Sequence, residues 1–345
     1  MTLYRLYRPK TFSEVEGQEH VVQTLHGALM SWRIGHAYLF TGPRGTGKTT
    51  MARLFAKAIN CQEAINYKLK AKSSLIEPCN TCLSCTEINA NKSLDLIEID
   101  AASHTSVDDV RNMIESAQVS APHGGYKIFI IDEVHMISKS AFNALLKTLE
   151  EPPARTLFIL ATTEASKVPA TILSRVQRFD FKKLTKEQII EKLKRVVKAE
   201  KLTIDSESLD LLALHAAGSL RDAESSLAKI MAYAGTTINV EQTSAILGMI
   251  PLHVHEQLLS ALSAKDAQKA LAIIDQLHES GANLENAAKQ FLEYVRGKLI
   301  GGLGTPQIPF LVSVVEAWMT AREQLKSSPI PQLPLELAIV HLCKP

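Results

Sequence analysis

Apolar residues are spaced in two ways along this chain, and the change falls near residue 183. Before it, short continuous apolar runs alternate with stretches of helical spacing. The runs Ala37 to Thr41, Leu94 to Asp100, Lys127 to Glu133, Thr156 to Thr163 and residues 178–182 read as buried strands. Between them the spacing predicts helices over 19–33, 50–59, 106–119, 138–149 and 168–175. The first carries Val22, Leu25, Leu29 and Trp32 on one face and is ended by Gly35, while the last has Pro169 early in it. Strands alternating with helices predict an α/β core, a parallel sheet in three layers.

Beyond residue 183 no strand pattern recurs. A basic amphipathic helix is predicted from Lys182 to Lys201, its charges forming a solvated face, followed by helices over 205–217, 221–234 and 240–247. From Pro251 to Pro345 the chain reads as helical, with apolar stripes at Leu258 to Leu262 and Ala270 to Leu277. Gly297 to Pro309 is predicted to break the run, and Leu335 to Cys343 closes it as a strongly apolar helix.

Composition adds exclusions. The 345 residues suffice for two or three domains, and a formal net charge of +2 advertises no overall affinity for nucleic acid. Any DNA contact must come from a local patch or a surface shared with partners. The start, Met1 to Lys10, lacks a signal-peptide core, and no apolar run approaches about 18 residues, so a cytoplasmic protein without a membrane span is expected. Five cysteines without a secretory signal point to metal binding rather than disulfides.

The candidate chemistry begins right after the first strand. Gly42-Pro43-Arg44-Gly45-Thr46-Gly47-Lys48-Thr49 fits G-x-x-x-x-G-K-[ST], and Thr50 opens the helix that follows. Its glycines let consecutive N–H groups face an anion, Lys48 adds charge for β- and γ-phosphates, and Thr49 offers a hydroxyl to Mg²⁺. Asp132 and Glu133 close a buried strand: the first can hold Mg²⁺, the second can polarise an attacking water. Thr162 and Thr163 end another strand, where a hydroxyl can position that water or simply finish the strand. Arg175 ends the short helix, an ordinary place for a cation. Ser219 with Asp222 resembles a capping box, which puts Arg221 in a first helical turn, where the dipole disfavours it unless an anion lies nearby. The basic arm, residues 1–17, reads equally as a surface arm or as a flap over adenine and ribose.

Cys79, Cys82 and Cys85 form C-x-x-C-x-x-C, and Cys61 can supply a fourth thiolate. Four thiolates at about 2.3 Å would close a tetrahedral structural Zn²⁺ site. An iron–sulfur cluster is the runner-up, disfavoured because Asn89 stands where a ferredoxin run has its fourth cysteine.

These segments, with Tyr7 to Phe12, Val15 to Val21, Ile97 to Ser103, Ile131 to Met136 and Phe142 to Pro153, resemble a known family. It is the gamma/tau ATPase subunit family of bacterial DNA polymerase III clamp loaders, an AAA+ family, and the likeness runs nearly full length. The resemblance implies an AAA+ core over 1–180 with a zinc module at 60–92, a helical lid over 181–247 and a collar over 248–345. It implies ATP held by Gly42, Pro43, Arg44, Gly45, Thr46, Gly47, Lys48, Thr49 and Thr50, with Arg8, Val15 and Gln18 at base and ribose. Asp132 and Glu133 would be the Walker B pair, Thr163 sensor 1, Arg221 sensor 2, and Arg175 a finger reaching the ATP of a neighbouring subunit. Cys61, Cys79, Cys82 and Cys85 would bind zinc. The implied activity is ATP hydrolysis within the DNA-directed DNA polymerase III holoenzyme, loading a sliding clamp on primer–template DNA at replication forks. The implied partners are delta, delta-prime and further gamma/tau copies. The Cys61–Cys79 loop looks longer than usual in the family. The chain stops after the collar, so the helicase and polymerase contacts of longer tau forms are not expected. Two alternatives share the phosphate chemistry: a hexameric AAA+ motor of the branch-migration kind, and a non-hydrolysing clamp-loader scaffold subunit, against which the complete Lys48, Asp132, Glu133 and Arg175 set argues.

Overall fold

The computed structural model describes residues 2–65, 76–103, 107–122, 125–302 and 307–344. The polar stretch Lys68 to Ser74, inside the segment 60–92, lies outside the described residues. Two compact units divide the chain, Met1–Ala232 and Tyr233–Pro345.

The first unit is built on five parallel strands: β1 (Ala37–Thr41), β2 (Leu96–Asp100), β3 (Lys127–Asp132), β4 (Thr156–Thr162) and β5 (Gln177–Asp180), in the order β2-β3-β4-β1-β5. Its helices are α1 (Leu3–Leu6), α2 (Glu19–Ser31), α3 (Lys48–Asn60), α4 (Leu83–Asn89), α5 (Val107–Ala117), α6 (Lys139–Glu150), α7 (Ala170–Leu173), α8 (Lys186–Ala199), α9 (Ser206–His215) and α10 (Leu220–Ala234). The three central strands are buried almost throughout, whereas β2 and β5 at the edges are half-exposed. Period-two alternation therefore sends side chains to both faces. Tyr38, Phe40, Ile130 and Ile159 pack with α2 and α3; Leu39, Phe129, Ile131, Phe158 and Leu160 pack with α5 and α6. Thr41 pairs with Thr162 and with Asp180, and Asp100 with Asp132, so the strand ends line one edge. Because β4 lies between β1 and β3, its last residues sit between the loop after β1 and the acids after β3.

Several boundaries differ from the sequence pattern for local reasons. The helix read from Lys182 begins at Lys186, because Thr185 and Gln188 form a reciprocal capping box. The fifth strand spans Gln177–Asp180 rather than 178–182. The third ends at Asp132, since Glu133 turns to φ +48. Ser219 makes half of the expected box: its hydroxyl accepts from Asp222 N–H, while its own N–H goes to the Ala216 carbonyl.

The second unit is helical: α11 (Val240–Leu247), α12 (Leu252–Ser263), α13 (Ala267–Glu279), α14 (Leu284–Gly301), α15 (Ile308–Leu325) and α16 (Leu333–Cys343). Leu258, Ile274, Phe291, Val314, Trp318 and Ile339 form its core. The break read over Gly297 to Pro309 begins later than expected, because α14 runs through Gly297 to Gly301 before α15 starts at Ile308. A mid-helix glycine costs only about 1 kcal/mol, and burial of Phe291 and Val295 on the same helix offsets it. No helix among the described residues is long and apolar enough to cross a membrane.

The capping box carries a test. Thr185→Ala removes an acceptor for the Gln188 N–H and is expected to cost about 1 kcal/mol, read as a lower urea midpoint, whereas Thr185→Ser retains the wild-type midpoint.

Candidate functional site

The glycines of the loop are set by what lies against them. Gly42 has φ +142, and a Cβ there would meet the Phe181 carbonyl oxygen at 2.4 Å; Gly45 has φ +74, and a Cβ there would meet Ser219 Oγ at 2.0 Å. The loop is thus pressed between the residue after β5 and the start of α10. Leu220 N–H donates to the Gly45 carbonyl at 3.2 Å. Gln18 is buried off the cleft wall, its Nε2 donating to the carbonyls of Thr46 (3.4 Å) and Lys182 (2.8 Å) and its Oε1 accepting from Lys182 N–H.

Lys48 opens α3 with its ammonium donating to the carbonyls of Gly42 (2.7 Å) and Pro43 (2.9 Å). Burial lowers its pKa, and the charges of Glu133 and Asp132 oppose that shift. Thr49 Oγ1 donates to Asp132 Oδ2 at 2.7 Å, joining the loop to the end of β3. Glu133 is fixed beside it, because its Oε2 accepts from both the backbone N–H (3.2 Å) and the hydroxyl (3.0 Å) of Thr163. Thr162 pairs with His135 Nδ1 at 2.9 Å, and that ring nitrogen is 3.4 Å from Glu133 Oε2.

A cleft of about 310 Å³ runs over this edge. Its walls include Gly45, Thr46, Gly47, Lys48, Thr49, Thr50, Asp132 and Glu133, with Arg8, Val15, Arg44 and Arg221 from the arm, the loop and α10. The arm is held over it by Tyr7, whose hydroxyl donates to Glu200 and whose carbonyl accepts from Lys192, and by a 2.6 Å pair between Arg195 and Glu16. The Arg221 guanidinium lies 4.8 Å from the centre of the Tyr4 ring. Burial, then the neighbouring charge of Arg53, lowers the pKa of Arg8.

Gln18 and Thr163 do not line the cleft, though each bonds to a residue that does. Arg175 lies elsewhere: its guanidinium pairs with Glu150 at 2.5 Å and donates to the Thr171 carbonyl, in a shallow depression with His36 and Gln177. Sequence reasoning assigned nothing to Tyr4, Arg53, Glu98, His135 or Glu224. Of these only His135, two places after Glu133, had a signal in its position. The others reach the site through tertiary packing.

The sulfurs of Cys61, Cys79, Cys82 and Cys85 all lie within 4.8 Å of one another, Cys61 and Cys85 being buried. A hydrogen bond from the Cys85 thiol, helped by the N–H groups of Cys79 and Ala64, holds Cys61 below the usual thiol range. Four convergent sulfurs fit a tetrahedral four-thiolate ion with no open position.

Comparison with known proteins places this architecture. A family model described as DNA polymerase III, delta subunit, matches residues 17–185, and one described as DNA polymerase III clamp loader subunit, ATPase lid domain, matches 188–234. The gamma subunit of DNA polymerase III from Buchnera aphidicola (subsp. Acyrthosiphon pisum) is 38% identical over 85% of this chain and 79% of its own length. The chain belongs to the DNA polymerase III gamma/tau family. The tau subunit of Bacillus subtilis is 38% identical over 99% of this chain, and that of Escherichia coli 42% identical over 82%. This gamma/tau-family chain spans 63% and 43% of those two proteins. Among solved structures, the RuvB Holliday junction branch migration motor of Thermotoga maritima superposes with a TM-score of 0.51 at 17% identity, over 74% of this chain and 79% of that one. That likeness concerns the AAA+-like fold alone.

The contact at Gly45 gives a test. Gly45→Ala meets both the left-handed backbone and Ser219 Oγ, and is expected to destabilise the first unit by about 2 kcal/mol or more. Adding Ser219→Gly removes the collision but not the backbone strain, so urea unfolding should show partial recovery.

Proposed function

We propose that this chain is an ATP-hydrolysing subunit of a bacterial replicative clamp loader. The observation that carries the reading is the Thr49–Asp132 bond beside a Glu133 held by Thr163. It brings loop, metal-holding acid and base together at one strand edge. Lys48 and the loop N–H groups bind the phosphates, with the other loop residues around them. Thr49 and Asp132 would hold Mg²⁺, which would supply positive charge beside the phosphates. Glu133 polarises the attacking water, its carboxylate kept in place by Thr163. Arg221 faces the cleft to meet phosphate charge, and Arg8 and Val15 cover base and ribose from the arm. Gln18 acts behind them, fixing the arm to the loop.

Arg175 serves a neighbouring subunit. It is absent from the walls of its own cleft, and Glu150 holds its guanidinium on another surface. The cysteine cluster binds a structural Zn²⁺. We assign residues 1–180 to the ATPase core, 181–247 to a lid and 248–345 to a collar. The partners are delta, delta-prime and further gamma/tau copies, a sliding clamp and primer–template DNA, and the location is the cytoplasm at replication forks. ATP binding orders the assembly on clamp and DNA, and hydrolysis releases both.

The deciding experiment is steady-state ATPase activity of the reconstituted loader with and without clamp and primed DNA. Wild type should be strongly stimulated by both. Lys48→Ala should lose nucleotide binding. Arg175→Ala should bind ATP normally but lose stimulated turnover by about 10³-fold or more; full turnover in that variant would remove its trans role. Metal analysis should find one zinc per chain, lost in Cys82→Ser, and a chain isolated without zinc would sink the metal assignment. A homohexamer by native mass would favour the branch-migration reading instead.

A further inference from the structure

Phosphate chemistry has no use for Glu224, yet it lines the cleft. The residue sits on α10, one turn beyond Leu220, whose N–H is bonded to the loop. It is only 4% exposed, and its Oε1 has no hydrogen-bond partner. Burial pushes its carboxyl up to about 7, against the opposing pull of Lys192 and Arg8. Lys192 directs its ammonium to the Tyr7 carbonyl at 3.0 Å. A buried acceptor without a donor sacrifices hydration without return, so a donor supplied by a ligand is the economical explanation.

The cleft wall shows which donor. Its phosphate end is polar, made by the loop and Asp132. Pro9, Val15, Leu184 and Leu220 bring apolar surface to the same cleft from the arm and from residues 184 and 220. A flat heteroaromatic base fits between such walls, with a few polar groups fixing its orientation. Glu224 stands beside Leu220 on the same helix face, four residues on. We propose that Glu224 accepts a hydrogen bond from the exocyclic amino group of the bound purine, and so selects a 6-aminopurine nucleotide over one lacking that amine. This rests on the nucleotide reading given above.

The test is isothermal titration of the full chain with ATP and with purine riboside triphosphate, which lacks only the amine. Wild type should bind ATP about tenfold more tightly, the discrimination a site gains when the analogue leaves its polar group unpaired. Glu224→Leu, which replaces an unpartnered buried carboxyl by an apolar group and should fold, should bring the two affinities within about twofold. Glu224→Gln keeps an acceptor oxygen and should retain most of the preference. An undiminished preference in Glu224→Leu, or its loss in Glu224→Gln, would overturn the proposal while leaving the phosphate site standing. A wild-type chain that binds neither nucleotide would overturn the nucleotide reading and this one with it.

Discussion

The loop after β1 can lie against residues 181 and 219 only because two of its positions carry no side chain. A Cβ on Gly42 would strike a backbone carbonyl, which cannot move aside as a flexible side chain can. At Gly45 the obstacle is the Ser219 hydroxyl, which already accepts the Asp222 N–H and so sets the first turn of α10. Close approach brings Leu220 N–H onto the Gly45 carbonyl, and Gln18 ties the next part of the loop to Lys182. The loop's conformation is thereby tied to α10 and to the segment leading into α8. Each such bond is worth about 1 kcal/mol net, so the attachment orders these segments without making them immovable.

The electrostatics follow from the same crowding. Burial, with the charges of Arg53 and Arg221, lowers the pKa of Arg8, and burial lowers that of Lys48. Asp132 and Glu133 support Lys48, and Glu98 pairs with Arg53 at 2.5 Å, which offsets part of the repulsion. A polyanion in the cleft would supply the rest. This argues for phosphate from charge alone, independently of the loop's sequence motif. It also gives a reason for a cation in the first turn of α10, where the helix dipole opposes it.

What was legible in the sequence depended on whether the constraint is local. The strand runs and the loop motif could be read because the residues that make them are contiguous, and the sheet edge then follows from parallel topology. The end of β3 could be placed only to within a residue, because Glu133 leaves the strand by a positive φ that its type does not advertise. The family resemblance puts Gln18 at base and ribose; its amide spans two carbonyls 28 and 164 residues away in sequence. Nothing in the sequence sets Glu224 apart, and only its burial distinguishes it. Gly297 placed the start of the break too early: glycine weakens a helix, but the apolar face on α14 carries it on to Gly301.

The arm shows how far such non-local ties extend. One end, at Tyr4 to Pro9, lines the cleft, while the other is bonded to the cysteine segment: Glu77 accepts from the N–H groups of Phe12 (2.6 Å) and Ser13 (2.8 Å). Beneath it Lys57, 2% exposed, donates to the Lys10 carbonyl and to the side chains of Asn80 and Asn89. Asn80 lies between Cys79 and Cys82, so the fold of the cysteine segment decides whether this buried ammonium is satisfied. Were that segment to come apart, Lys57 would lose two of its three acceptors, and an under-solvated buried charge is costly. The arm would lose its anchor at Glu77 in the same event. Ordering of the four sulfurs and ordering of the arm over the cleft are therefore coupled through Lys57 and Glu77, although no cysteine touches the cleft.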